Sequence, residues 1–333
     1  MITIDDITRL RYSPDLTEGG IALAVRSLNQ NFDRSSSSIF ARLRRIVSSV
    51  AVELAFRRYL SEKATPFEVK SALPFSDPDR YEVSLGGHRC QINTDLISRR
   101  SLIGAMRRDP GTLLQTPALI PEEQLSAANL TGKEVLVFAF LLGLTATSPD
   151  ELGKVMAAGQ PMYLVHPLRE DWANPSIWAP LGPLALKNEC AEPINIEIGG
   201  QDAERNFITE TLTLAPQKRC VALSSYYSLA YVHSQALPGA RVGLHSPARK
   251  DVYIIQPHEW DNIWIYGLEI WLAGYISEQD FRRKAATTFA GSRVFQYSQT
   301  RTKNLSIPVS DLHPLGDLLE RVKSWETRKK SWR

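Results

Sequence analysis

The stretch Tyr81-Glu-Val-Ser-Leu-Gly-Gly-His-Arg-Cys-Gln-Ile-Asn93 decides the fold that this sequence predicts. Two short runs of alternating polar and apolar residues flank Gly86-Gly87, an arrangement typical of a β-hairpin. Because successive side chains of a strand point to opposite faces, Gln91 and Asn93 share the polar face of the second strand. If the two strands pair, Glu82 of the first strand lies on the same surface, and the three polar side chains converge.

Helix and strand patterns extend from the hairpin in both directions along the chain. Apolar residues at helical spacing predict a helix over 39–60, which carries Glu53, and Asp79 lies at the start of the first hairpin strand. After the hairpin, the patterns predict a helix over 95–106, a buried strand over 135–142, a helix capped by Ser148 and a strand over 162–165. Later patterns predict strands over 194–198, 207–214, 252–255, 263–266 and 294–297, and a final helix over 311–325.

The composition is that of a globular protein. Of 333 residues, 43% are hydrophobic and 23% are charged, a balance that supports a packed core and argues against disorder. No apolar run approaches the roughly 20 residues that a membrane-spanning helix needs, so we expect no membrane partner. The first ten residues lack an apolar signal core, and the scattered thiols of Cys90, Cys190 and Cys220 suit a reducing compartment. We therefore expect a cytoplasmic protein.

The patterns divide the chain into three expected parts. Residues 1–38 form a mixed lead-in, and residues 39–168 form an α/β core with an inserted helix and loop near 95–130. Residues 169–333 form a β-rich domain that ends in a basic helix. The predicted fold class is therefore α/β with a β-rich C-terminal part.

Basic residues are concentrated near the C-terminus. From Phe281 onward the chain has twelve lysines and arginines against four acids, an excess of +8, whereas the whole chain sums to only +3. Clustered cationic groups are typical of surfaces that meet a phosphate backbone, although solvated helix faces have the same composition. The residues that we predict as nucleic-acid contacts are Arg99, Arg100, Arg107, Arg108, Lys329 and Lys330.

The hairpin and its flanking elements resemble the PD-(D/E)XK nuclease superfamily, which has the restriction-endonuclease-like fold. That family has a helix with an acid, a strand with an acid, and a second strand with an acid-x-Lys motif. Its core runs helix, three strands, helix, strand, and the predicted elements over 39–166 follow this order if 95–130 is an insertion. The resemblance covers about a third of the chain and depends on pattern.

The resemblance implies a set of catalytic and metal-binding residues. Glu53 takes the place of the helix acid, Glu82 or Asp79 that of the strand acid, and Gln91 and Asn93 those of the acid-x-Lys motif. In the family, such acids hold Mg²⁺, which activates water and offsets charge on the scissile phosphate. Glu53, Asp79, Glu82 and Gln91 are then the expected ligands of Mg²⁺ or Mn²⁺, with Gln91 as an auxiliary ligand.

This sequence departs from the family at the acid-x-Lys motif, which leaves three hypotheses open. Gln91 still offers a carbonyl oxygen to a metal, but Asn93 has no charge and cannot replace a lysine ammonium. The first hypothesis is a metal-dependent DNA endonuclease, a phosphodiesterase of restriction-like type that would suit bacterial defence. The second is a catalytically degenerate nuclease-like module that binds nucleic acid. The third is a structural or assembly protein. The sequence does not decide between DNA and RNA as the ligand. It also leaves open whether the chain forms a homo-oligomer or binds a partner protein of a defence system.

Overall fold

The fold, described from a computed structural model, is a mixed α/β structure. It covers residues 2–29, 38–69, 83–127 and 132–331, with side chains through residue 325. The helices of this part of the chain are α1 Pro14–Arg26, α2 Ile39–Glu62, α3 Arg100–Arg108, α4 Glu122–Ala127, α5 Pro149–Ala157, α6 Glu170–Ala173, α7 Glu278–Lys284 and α8 Leu315–Ser331. The strands are β1 Thr8–Arg11, β2 Val83–Leu85, β3 His88–Ile97, β4 Pro117–Pro121, β5 Val135–Leu144, β6 Leu164–Pro167, β7 Ala185–Asn188, β8 Ile194–Gln201, β9 Phe207–Leu214, β10 Arg219–Val221, β11 Ser228–Ser234, β12 Val242–His245, β13 Tyr253–Ile255, β14 Asp261–Asn262, β15 Tyr266–Ser277, β16 Ala286–Thr288 and β17 Asn304–Pro308.

The chain folds into two compact units. Unit 1 comprises residues 1–20, 48–144 and 266–333, and unit 2 comprises residues 21–47 and 145–265. The sequence placed its domain boundaries elsewhere, after residues 38 and 168. They stay predictions.

Unit 1 is built around a five-stranded sheet in the order β1-β15-β5-β3-β2. Its central strand β5 is an almost continuous apolar run and is buried along most of its length, as expected for a strand covered on both faces. β5 pairs in parallel with β3 and antiparallel with β15. A parallel pair needs a long crossover connection, which the segment with α3, β4 and α4 supplies.

A second sheet in unit 1 packs with the first around one apolar core. This sheet has three strands in the order β16-β17-β4. The core contains Phe138 and Phe140 of β5, Ile103 of α3 and Trp271 of β15, all with little or no exposed surface. The core fixes α3 and β4 beside the face of β5 on which these two phenylalanines lie.

Unit 2 contains two more sheets. One has the order β14-β6-β11-β8-β9 and the other the order β10-β7-β12-β13. The centre of the first is β11, in which all seven residues are buried. Ser148 caps α5 as predicted, because its Oγ accepts a hydrogen bond from the Glu151 N–H at 3.3 Å.

The structure confirms several predicted elements. The helix predicted over 39–60 is α2, and the strand predicted over 135–142 lies within β5. The strands predicted over 194–198 and 207–214 lie in β8 and β9, and the basic C-terminal helix is α8. These elements are long or strongly periodic, and such patterns are the most reliable ones.

Three predicted assignments are wrong, and one predicted strand joins a different sheet. The strand predicted over 162–165 falls in β6, which pairs with β11 and β14 in unit 2 and is not part of the sheet of β2, β3 and β5. Residues 95–97 continue β3, so the helix starts at Arg100 and not at Asp95. Residues 263–265 lie between strands, and residues 294–297 form an irregular bend in which the Val294 N–H donates to the Tyr297 carbonyl at 3.1 Å. Short apolar runs indicate burial, but they identify neither the partner strand nor the element boundary.

Candidate functional site

The predicted hairpin is present in the described residues. β2 and β3 are adjacent and antiparallel, with Ser84 opposite Arg89. Gly86 and Gly87 have φ angles of +57° and +80°, and glycine adopts this left-handed conformation at little cost in such two-residue turns. Asp79 and Glu82, however, lie outside the described residues. Their predicted convergence with β3 therefore stays a prediction.

A stripe of polar side chains runs along one face of β3. Gln91 and Asn93 alternate with buried Cys90 and Ile92, as predicted, and the Gln91 Nε2 amide donates to Asn93 Oδ1 at 3.3 Å. Asp95 continues the stripe, because the strand extends two residues beyond it. Asp95 was not predicted as a strand residue, although Ile92, the β-branched Thr94 and Leu96 continue the strand pattern through it.

Glu53 is held by a partner on its own helix. Only 6% of its surface is exposed, and its carboxylate forms an ion pair with Arg57, one turn further along α2. A buried carboxylate needs such compensation, because an unpaired charge in the interior is costly. The negative charge of Glu53 is thus already balanced within α2.

The described residues do not by themselves form a magnesium site. Across residues 2–29, 38–69, 83–127 and 132–331, no group of three or more His, Cys, Asp or Glu side chains could hold a metal ion. Gln91 and Asn93 bind each other through neutral amides, whereas Mg²⁺ prefers carboxylates and water. The predicted Mg²⁺ or Mn²⁺ site thus depends on Asp79 and Glu82.

Asp95 accepts hydrogen bonds from a loop that lies about 200 residues later in the sequence. The Tyr297 hydroxyl donates to Asp95 Oδ1 at 2.5 Å, and the Gln296 Nε2 amide donates to Asp95 Oδ2 at 3.1 Å. Burial raises the pKa of Asp95 to about 6, and the two hydrogen bonds partly oppose this rise. We call residues 289–303, between β16 and β17, the anchored loop.

A donor-rich cavity of about 340 Å³ lies between α3 and the anchored loop. Its lining residues are Arg99, Arg293, Val294, Tyr297, Ser298 and Gln299. The Arg99 Nη2 donates to the Phe295 carbonyl at 2.8 Å, which fixes this guanidinium beside the loop. The lining residues include two arginines and no acidic residue, so the cavity is suited to an anion.

The remaining predicted nucleic-acid contacts occupy different surroundings. Arg100 is exposed at the start of α3. Arg107 forms an ion pair with Glu269 of β15, which partly neutralises it, and Arg108 donates from Nε to the Gly104 carbonyl at 3.2 Å. Lys329 and Lys330 lie on α8, and their side chains are outside the described part of the chain.

The sequence analysis did not single out Arg293 or Tyr297. Both belong to the basic C-terminal region that the charge count identified, but the pattern over 294–297 was interpreted as a strand. The signal that could have found them is an arginine and a tyrosine close together in a polar loop, a combination typical of nucleic-acid contact.

Comparisons with known proteins identify no family, relative or similar fold. No family model matches the sequence, no curated protein matches it, and no solved structure matches the fold. Among the described residues, none of the helices combines the length and apolar composition that crossing a bilayer requires.

Proposed function

We propose that this protein binds nucleic acid through unit 1, on a nuclease-like core in which the acid-x-Lys position is degenerate. The observation that supports this most directly is the cavity beside α3. Two of its lining residues, Arg99 and Arg293, are arginines, and none is acidic. Guanidinium groups bind phosphate oxygens through paired N–H donors and keep their charge at all physiological pH values.

The position of these arginines suits a phosphate backbone. Arg99 and Arg293 are both exposed, as is the neighbouring Arg100. The bond from Arg99 to the Phe295 carbonyl holds one guanidinium in place before any ligand arrives, which lowers the entropy lost on binding. Backbone contacts of this kind carry little sequence information, so we expect binding to unrelated sequences.

The order of elements in unit 1 supports the nuclease-like part of the proposal. The family core runs helix, three strands, helix, strand, and α2, β2, β3, α3 and β5 follow five of these six steps in order, with β4 and α4 as additional elements between α3 and β5. An extended stretch at Glu68 occupies the remaining step, since its N–H and C=O both bond to Ser84 of β2. In this arrangement α3 is the core helix, and the part of the predicted 95–130 insertion that holds β4 and α4 remains an insertion.

The amide pair on β3 favours binding over cleavage. Gln91 and Asn93 occupy the acid-x-Lys positions, and their side chains satisfy each other with a hydrogen bond of 3.3 Å. Neither can supply the negative charge that holds a divalent cation or the ammonium that assists at the phosphate.

A metal-dependent DNA endonuclease is the second candidate, favoured by the same order of elements. Asp79 and Glu82 are the carboxylates that it requires in addition to Glu53. Under this alternative, we also propose that the endonuclease acts in bacterial defence, together with a partner protein or a second copy of the chain.

A fluorescence-anisotropy titration at several salt concentrations tests the proposal. The probes are a labelled DNA duplex, the corresponding single strand and an RNA of the same sequence. For wild type, log affinity should fall linearly with log salt, by about 0.9 per phosphate contact for duplex and about 0.7 for a single strand. The double variant Arg99→Ala, Arg293→Ala should bind all sequences more weakly, with a slope shallower by about 1 to 2.

Arg11→Ala is the matched control, because Arg11 is exposed on β1 of the same unit and does not line the cavity. Failure of the wild type to bind any probe at low salt would overturn the proposal, and an unchanged slope in the double variant would place the interface elsewhere.

The same mixtures, supplied with Mg²⁺ or Mn²⁺ and resolved on a denaturing gel, test the second candidate. Metal-dependent shortening of the strand would favour the endonuclease.

A further inference from the structure

The cavity beside α3 has the dimensions of a site for a single ligand group and not of a groove for a duplex. Its volume is about 340 Å³, close to the lower end of the roughly 300–1,000 Å³ typical of small-ligand pockets. It is bounded by the start of α3 on one side and by the anchored loop on the other. A group that enters it must therefore project from the nucleic acid.

The charge of the lining matches a phosphate monoester better than a phosphodiester. A monoester carries about −1.5 to −2 at pH 7, because its second ionisation lies near pH 6, whereas a diester carries −1. Arg99 and Arg293 together supply two positive charges, and Ser298 and Gln299 add neutral hydrogen-bond donors. In a nucleic acid, a monoester occurs only at a strand end.

The anchored loop carries two exposed aromatic rings, of which Tyr297 lines the cavity. Phe289 is 67% exposed and Tyr297 is 37% exposed. The Tyr297 ring is fixed in position because its hydroxyl donates to Asp95, and the Phe289 carbonyl accepts a hydrogen bond of 2.7 Å from the Thr300 hydroxyl. Exposed rings stack on bases that are unpaired, and they do so with little sequence preference.

We propose that the cavity holds the terminal phosphate of a single-stranded nucleic acid, while the rings of Phe289 and Tyr297 stack on the bases next to it. This inference rests on the proposed nucleic-acid binding and adds the class of ligand. Arg99 and Arg293 bind the phosphate, and Asp95 is a positioning residue that holds the Tyr297 ring through its hydroxyl.

The test compares short labelled DNA strands of one sequence that differ only at their ends. The probes carry a 5′ phosphate, a 3′ phosphate or hydroxyls at both ends, and a blunt duplex carries the same phosphates. We expect one of the phosphorylated single strands to bind the full-length protein at least tenfold more tightly than the hydroxyl-ended strand. We also expect it to bind more tightly than the phosphorylated duplex.

Variants assign the effect to the cavity. Arg293→Ala should weaken the binding of both strands but that of the phosphorylated strand more, so that the preference for the phosphate is lost. Arg293→Lys should retain part of the preference because it keeps the charge. Phe289→Ala should weaken the binding of both strands about equally, by roughly tenfold. Arg11→Ala should leave every affinity unchanged. Thermal unfolding of each variant checks that the fold is intact.

The outcomes separate this inference from the function on which it rests. If wild type binds phosphorylated and hydroxyl-ended strands equally, the strand-end inference is wrong, while the proposed nucleic-acid binding stands. If a free nucleoside monophosphate or inorganic phosphate competes as strongly as the phosphorylated strand, the cavity is a small-anion site and the strand-end inference is overturned. If no probe binds, both proposals are wrong.

Discussion

Asp95 connects the polar stripe of β3 to the cavity. Its two carboxylate oxygens accept separate hydrogen bonds from neighbouring residues of the anchored loop, Gln296 and Tyr297. Burial disfavours its ionised form and raises its pKa to about 6. The residue therefore positions the loop and also makes the free energy of unfolding depend on pH.

The replacement Asp95→Asn should remove this pH dependence. In wild type the folded state binds the proton more tightly than the unfolded chain, whose carboxyl has a pKa near 4. The stabilisation from this proton is complete below about pH 4 and is lost as pH rises to about 6. Between pH 4 and 7, wild type should thus lose about 1–3 kcal/mol of stability relative to Asp95→Asn. Urea unfolding at a series of pH values measures the difference.

The control for this measurement is Asp251→Asn, because Asp251 is exposed. Parallel pH profiles for wild type and Asp95→Asn would show that burial of this carboxylate does not govern its titration. The anchored loop would then need another explanation for its position.

At the scale of elements, glycine has opposite effects on the stability of the hairpin and of α3. Gly87 lies in the turn between β2 and β3 with φ +80°, a conformation that side chains rarely adopt. Gly104 lies within the helical span of α3, where glycine costs backbone entropy and contributes no packing. At both positions an added Cβ would meet no other atom within 4 Å. The backbone conformation therefore separates the two cases.

Alanine at these two positions should change stability in opposite directions. Gly87→Ala should lower the free energy of unfolding by about 1 kcal/mol, because an L-residue is strained in the left-handed region. Gly104→Ala should raise it by about 0.5–1 kcal/mol, since alanine is the better helix former. Urea denaturation of the two variants makes the comparison. A shift in the same direction in both would contradict the assigned turn or the assigned helix.

At the scale of the whole molecule, the excess of positive charge belongs to unit 1. Its residue ranges contain 25 lysines and arginines against 22 acids, a net of +3, whereas those of unit 2 contain 14 against 14. A small net charge spread over a unit attracts nucleic acid weakly, so binding must depend on local clusters such as the one at the cavity.

Hydrogen–deuterium exchange with a phosphorylated single strand should place the interface in unit 1. We expect slower exchange in peptides from the anchored loop and the start of α3, because bound ligand restrains local opening. Peptides from β7 and β10, which carry Lys187 and Arg219 in unit 2, should exchange at the same rate with and without the strand. Protection confined to residues 145–265 would contradict the proposed interface.

The sequence by itself determined the elements whose patterns are local. α2, the hairpin turn at Gly86-Gly87 and the buried strand β5 follow from periodicity and turn chemistry, which act over a few residues. The alternation of Gln91 and Asn93 against apolar neighbours also predicted the face on which they lie. These features need no knowledge of distant partners.

Only the tertiary structure decided the cavity and the pairing of strands. Tyr297 meets Asp95 across 202 positions of sequence, and no local pattern encodes a contact of that range. An apolar run such as β6 shows that a strand is buried, but the sheet that it joins depends on which strands the fold brings beside it. The site of unit 1 therefore became visible only when β3, α3 and the anchored loop were placed together, because each contributes side chains that are unremarkable alone.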